Sequence, residues 1–138
     1  MEAKVTWHKG LSFSGTADSG YTLSLGGKKS VGGEEDGFLP MEMFLIGLGG
    51  CTGMDVISIL AKMRQEVTGF EVKIHADRVD AHPKIFSDIM IEYVLTGKNL
   101  DPTLVQKAVD LSEQTYCPGQ AILSKTAKID HKITILEA

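Results

Sequence analysis

Two cysteines are the residues in this chain best suited to do chemistry. Cys51 lies in the run Gly49-Gly50-Cys51-Thr52-Gly53, and Cys117 opens Cys117-Pro118-Gly119-Gln120. A thiol reacts as its thiolate, so its surroundings decide its role. Cys117 precedes a proline and is placed to cap a helix, where backbone N–H groups and the helix dipole favour a thiolate. Cys51 falls well inside a long apolar stretch, where burial raises a thiol pKa. On its own Cys51 reads as a packing cysteine that needs a nearby cation or donor to react. By these local arguments Cys117 is the more acidic of the two, and each cysteine stays open to a redox or a packing role.

Other chemistries find less support. The cysteines are not a C-x-x-C pair, and the four histidines, His8, His75, His82 and His131, are scattered without zinc-ligand spacing. His75 and His131 are expected on polar strand faces. No metal site and no cofactor is expected. There is no G-x-S-x-G run, and the glycines of GLGGCTG sit inside an apolar segment rather than between a strand and a helix start, so no phosphate loop is read. A net charge of -4 and the lack of any basic run argue against a nucleic-acid partner. The first ten residues, MEAKVTWHKG, have no apolar core, so no signal peptide is expected. Two cysteines without an export signal imply a reducing, cytoplasmic compartment. The uncharged run from Met43 to Met54 ends at Asp55, short of the ~20 apolar residues a membrane span needs. A core helix is the expectation, with no membrane partner.

The elements that must carry the cysteines follow from periodicity. Leu39 to Glu66 reads as one long helix, with Pro40 in its first turn, where the missing N–H costs nothing, and Glu42 placed to favour the dipole. It is expected to be buried all round in its first half and amphipathic later. Gly47, Gly49, Gly50 and Gly53 each cost about 1 kcal/mol against alanine in a helix interior. Close approach of another helix, a second subunit or a substrate is a reason to keep them. Gly69 is read as the C-cap.

Before the helix, runs at residues 2–8, 11–16 and 21–25 predict an antiparallel meander, with Gly26-Gly27 as a hairpin turn. After it come strands at 71–79 and 85–96 and a helix capped by Asp101-Pro102 that runs to about Gln114. A short helix at 120–124 and a last strand at 127–136 complete the order. The reading is a single α+β domain over residues 1–138, with antiparallel sheets and helices packed on them.

Two runs carry a family resemblance. Pro40-Met41-Glu42 followed by the apolar run to Gly50-Cys51-Thr52-Gly53-Met54-Asp55-Val56, and Cys117-Pro118-Gly119-Gln120-Ala121-Ile122-Leu123, resemble the two signatures of the OsmC-like proteins. The element order matches along essentially the whole chain. The resemblance implies an intertwined homodimer, with antiparallel sheets around a long central helix and both sites at the subunit interface. It also implies a thiol peroxidase in oxidative-stress defence. Cys51 would be the peroxidatic cysteine that attacks an organic hydroperoxide, Cys117 the resolving cysteine, and a dithiol the reductant. Glu42 would be a supporting residue.

Two departures set this chain apart from the organic hydroperoxide resistance proteins. Those proteins place a glutamate directly after the proline, where this chain has Met41, with Glu42 one step on. They also use an arginine from the N-terminal hairpin, whereas the arginines here are Arg64 and Arg78. The GCTGMDV run resembles a less characterised branch. The alternative reading is a non-catalytic, small-ligand-binding or stress-related protein of the same fold, with the cysteines as packing or ligand contacts.

Overall fold

The computed structural model describes Met1–Ala138. Three strands open the chain: β1 (Ala3–Lys9), β2 (Ser12–Ala17) and β3 (Thr22–Leu25). They form the expected antiparallel meander in the order β1-β2-β3. Gly10 and Gly20 take positive φ values of 49° and 85° at its two turns, a conformation glycine adopts without steric cost. Gly26-Gly27 is not a hairpin turn. Gly26 N–H donates to Phe38 O, Phe38 N–H donates to Ser24 O, and Leu25 bridges Phe38 in parallel. The returning segment passes so close that a Cβ on Gly26 would stand 2.6 Å from Asp36 Oδ1 and 3.0 Å from Gly37 N, and one on Gly27 would stand 2.8 Å from Leu11 Cδ1 in the β1–β2 turn. Those glycines serve close approach, not chain reversal.

The long helix α1 spans Pro40–Lys62. It stops before the expected Glu66, because Arg64 turns the chain through φ 58°. Gly69 is not its C-cap. It lies within β4 (Glu66–Arg78), at a register shift opposite Thr96. Helix α2 covers Pro102–Leu111, a single π turn follows at Ser112–Tyr116, and α3 covers Pro118–Leu123. Asp101 caps α2 as expected, accepting from Thr103 N–H at 2.8 Å.

The chain resolves into two compact units, Met1–Ile46 and Gly47–Ala138, with the boundary inside α1. In the second unit β4, β5 (Phe86–Lys98) and β6 (Lys128–Glu137) form a sheet in the order β4-β5-β6. β4 and β5 pair antiparallel. β5 and β6 pair parallel, with Ile89 opposite Ile129 and Tyr93 opposite Ile133. The expectation of purely antiparallel sheets is corrected here. A parallel neighbour needs a crossover connection, and α2 and α3 supply it. The architecture is α+β, with two three-stranded sheets and one long helix.

The core of the second unit follows β5. Phe86, Ile89, Ile91, Tyr93 and Leu95 are buried on it, together with Val105, Ala108 and Val109 of α2. From α1 the buried residues are Leu48, Thr52, Val56 and Leu60, spaced four apart and so forming one stripe. Contrary to the expectation, the first half of the helix is therefore not buried all round. Phe44, Ile46, Met54 and Ile57 are exposed, and by length and composition α1 is long and apolar enough to cross a membrane. Of the four helix glycines, Gly49 and Gly53 serve packing on β4. A Cβ at Gly49 would stand 3.1 Å from Ile74 Cδ1, and one at Gly53 3.4 Å from Val72 Cγ2. Gly47 and Gly50 face open space.

Candidate functional site

Cys51 and Cys117 are both free thiols in the second unit, Cys51 half-buried and Cys117 buried. α1 carries Cys51 beside its buried stripe, and α3 carries Cys117 at its N-cap. α3 lies against α1 at Gly119, where a Cβ would make ordinary contact, 3.5 Å from Leu48 Cα and 3.6 Å from Cys117 Sγ. The two thiols interact, and Cys51 is among the causes that raise the Cys117 pKa.

The capping geometry expected for Cys117 is present. Its Sγ accepts from Gln120 N–H at 3.4 Å. The electrostatic consequence is the reverse of the expectation. Burial of the thiol is the largest influence and outweighs the Gln120 N–H, and the neighbouring Cys51 adds to it. Together they push Cys117 from 9.0 up to about 11. The reading of Cys117 as the acidic thiol is corrected. A six-residue helix offers little dipole, and with only 4% of Cys117 exposed the cost of burying a thiolate dominates.

A buried polar cluster adjoins both cysteines. Thr52 Oγ1 lies 2.7 Å from Tyr93 Oη and 2.8 Å from Ser112 Oγ. Ser112 Oγ donates to Asp55 Oδ2 at 3.0 Å. Gln120 Nε2 donates to Thr52 Oγ1 at 3.2 Å and to Tyr93 Oη at 3.3 Å. Burial raises the Tyr93 pKa, so its hydroxyl keeps its proton and can donate. No buried side-chain polar atom in the chain lacks a partner. Sequence reasoning did not single out this cluster. Thr52, Asp55 and Gln120 lie within the two signature runs and were accessible on that ground. Tyr93 and Ser112 stand in ordinary strand and helix patterns, with no local signal.

The remaining sequence candidates fall elsewhere. Glu42 lies in the first unit, where its Oε1 accepts from Leu39 N–H at 2.8 Å and satisfies a free donor at the start of α1. Arg64 is the turn residue after α1, and Arg78 Nε donates to Lys84 O at 2.7 Å across the β4–β5 connection. His75 is exposed as expected. His131 is not: it is half-buried, its Nδ1 3.2 Å from Glu113 Oε2 and its ring edge-on to Tyr93.

Ligand atoms of Asp110, Glu113 and His131 come within 4.8 Å of one another, the one grouping of metal-ligand type. Its members already have partners, His131 with Glu113 and Asp110 with Gln106 at 2.8 Å. An apolar cleft of about 390 Å³ lies in the first unit, lined by Val5, Ala17, Tyr21, Leu23, Leu25 and Met43 among others. Neither cysteine lines it.

Comparison with known proteins places these features in context. The family model described as OsmC-like protein matches residues 33–132. Protein YhfA of Escherichia coli K12 is 37% identical over 138 residues, covering all of both chains. A crystal structure of a hypothetical protein from Aquifex aeolicus superposes with a TM-score of 0.88 at 28% identity, covering 99% of this chain and 96% of that one. An organic hydroperoxide resistance protein from Legionella pneumophila shares the fold, with a TM-score of 0.73 at 16% identity and coverage of 96% and 95%.

Proposed function

This chain belongs to the OsmC-like protein family, and from that premise we propose that it is a two-cysteine thiol peroxidase acting on organic hydroperoxides. The observation that carries the reading is the meeting of the chain's two free cysteines, one on α1 and one capping α3, in one packed site. A half-buried cysteine beside a buried partner suits a nucleophile and its resolver.

In this reading the Cys51 thiolate attacks the hydroperoxide, the O–O bond breaks, and the alkoxide leaves and is protonated to an alcohol. Cys51 becomes a sulfenic acid. Cys117 then displaces hydroxide from it, giving the Cys51–Cys117 disulfide and water, and an external dithiol reduces the disulfide. The raised Cys117 pKa fits the slower partner, which stays a thiol until Cys51 is oxidised. Glu42 is the supporting carboxylate of the reading. The exposed apolar residues of α1 and the open Gly47 and Gly50 suit coverage by a second copy of the chain; the reading takes the working form as a homodimer, acting in the cytoplasm in oxidative-stress defence.

The test is turnover. With excess dithiol, the wild-type protein consumes an organic hydroperoxide catalytically, and Cys51→Ser abolishes consumption. Hydroperoxide loss no faster than with the dithiol alone refutes the reading.

A second reading rests on the apolar cleft of the first unit: binding of a small apolar ligand without turnover. Native mass spectrometry that finds a bound ligand retained after both cysteines are changed to serine would favour it.

A further inference from the structure

Thr52, Ser112 and Gln120 are three of the four buried polar residues of the chain, and all three join a single hydrogen-bonded cluster. Counting donors fixes its direction. A carboxylate only accepts, so Ser112 commits its one O–H to Asp55 Oδ2. Ser112 must then accept from Thr52. With its own proton given away, Thr52 accepts from Tyr93 and from Gln120 Nε2. Tyr93 also accepts from Gln120 Nε2. The carboxamide of Gln120 is thereby clamped by two fixed acceptors. Its backbone N–H points at Cys117 Sγ, and Thr52 directly follows Cys51 in the chain. One side-chain contact, Gln120 to Thr52, ties the segment bearing one sulfur to the segment bearing the other.

A buried polar network of this kind brings little stability over apolar residues of the same shape. Its distinctive property is orientation. We infer that Gln120, held by Thr52 and Tyr93, is a positioning residue that sets the approach of the Cys117 sulfur to Cys51 during disulfide closure. The inference rests on the redox-pair reading above, but not on which oxidant attacks Cys51. In the closing step the Cys117 sulfur attacks the oxidised Cys51 sulfur and an S–S bond forms. The bond from Cys51 to its leaving group breaks, and the Cys117 proton is released to that group or to water. Attack along the S–S axis is demanding in geometry, and misplacement by about 1 Å can cost on the order of a hundredfold in rate.

The experiment separates closure from oxidation. Reduced protein is mixed with a chromogenic aromatic disulfide in a stopped-flow instrument. The first coloured thiolate leaves when Cys51 attacks the probe. The second leaves when Cys117 attacks the Cys51 mixed disulfide, and Cys117→Ser and mass spectrometry assign the two phases. Gln120→Met keeps the shape of the side chain and removes its donors, and Thr52→Val does the same for the hydroxyl. Both are expected to slow the second phase by about ten- to a hundredfold relative to the first. Thr52→Ser restores the hydroxyl and the wild-type ratio, a rescue that lost packing alone would not give. Circular dichroism checks the fold; if Gln120→Met misfolds, the Thr52 pair carries the test.

An unchanged second phase, equal slowing of both phases, or Thr52→Ser as slow as Thr52→Val overturns the inference. A protein that closes its disulfide with the probe but ignores organic hydroperoxides refutes the peroxidase reading alone. A wild type that releases a single thiolate overturns both.

Discussion

Alkylation of Cys117 is expected to be slow in the folded chain and to follow a titration centred near pH 11. The magnitude follows from burial and the Cys51 neighbour, which carry the thiol from 9.0 to about 11. At any pH below 9 the folded protein then holds about a hundredfold less Cys117 thiolate than the unfolded chain. The more basic thiolate is also the better nucleophile, with a Brønsted slope of about 0.4–0.5, which returns roughly eightfold. The net is about a tenfold slower reaction, before the access barrier imposed by 4% exposure.

The assay is iodoacetamide labelling of Cys117 across pH 7 to 11, in native buffer and in urea, read by mass spectrometry. Replacing Cys51 by alanine removes one cause of the shift, so the midpoint drops while staying above 9.0, because burial is the largest cause. Native labelling as fast as unfolded labelling, or a native midpoint below 9, would refute the reasoning that burial outweighs the helix cap.

The same thiol makes folding pH-dependent. Below pH 9 Cys117 is protonated in both states and contributes nothing. From 9 toward 11 the unfolded thiol ionises while the folded one keeps its proton, so stability falls as pH rises, by up to about 3 kcal/mol. Tyr93, also raised from 10.0 by burial, adds a loss of the same sign at higher pH. Urea midpoints measured across that window fall for the wild type and fall less for Cys117→Ala; identical slopes contradict the assignment. On α1, Met54 is 73% exposed within the chain, and Met54→Glu is expected to convert a dimer to a monomer in sedimentation velocity. A wild type that sediments as a single chain contradicts coverage of that face by a second copy.

The strands of the second unit were legible because each shields alternate residues, whereas β1 is exposed along its whole length. β5 shows this most clearly, with Ile89, Ile91, Tyr93 and Leu95 on one face. The Asp101-Pro102 start of α2 was legible because capping chemistry is local. What was not legible depends on distant partners. Gly69 resembles a helix stop in sequence, but the pairing of β4 with β5 extends back to Glu66 opposite Lys98 and draws Gly69 into the strand. Nothing in the pattern of residues 127–136 distinguishes a parallel from an antiparallel neighbour, since alternation is the same in both.

At the site, the cysteines and the helix cap could be read from residue types and from the family resemblance. The loss of Cys117 acidity could not, because it depends on how completely the sulfur is buried in the folded chain and on Cys51 beside it. The burial of Tyr93 and Ser112 beside Thr52 joins residues 41 and 60 positions apart, and no local spacing announces such contacts. The apolar character of α1 suggested burial on all sides of its first half, but the buried residues of the helix are the Leu48–Leu60 stripe alone.

The central claim is that Cys51 and Cys117 are one redox pair. Its most direct test is to add one equivalent of an organic hydroperoxide to fully reduced protein, alkylate the remaining thiols, digest without reductant and sequence the cross-linked peptides by mass spectrometry. The account predicts an intramolecular peptide pair joined between Cys51 and Cys117, with a sulfenic acid trapped at Cys51 when Cys117 is serine. Recovery of both cysteines as free, alkylated thiols would contradict it.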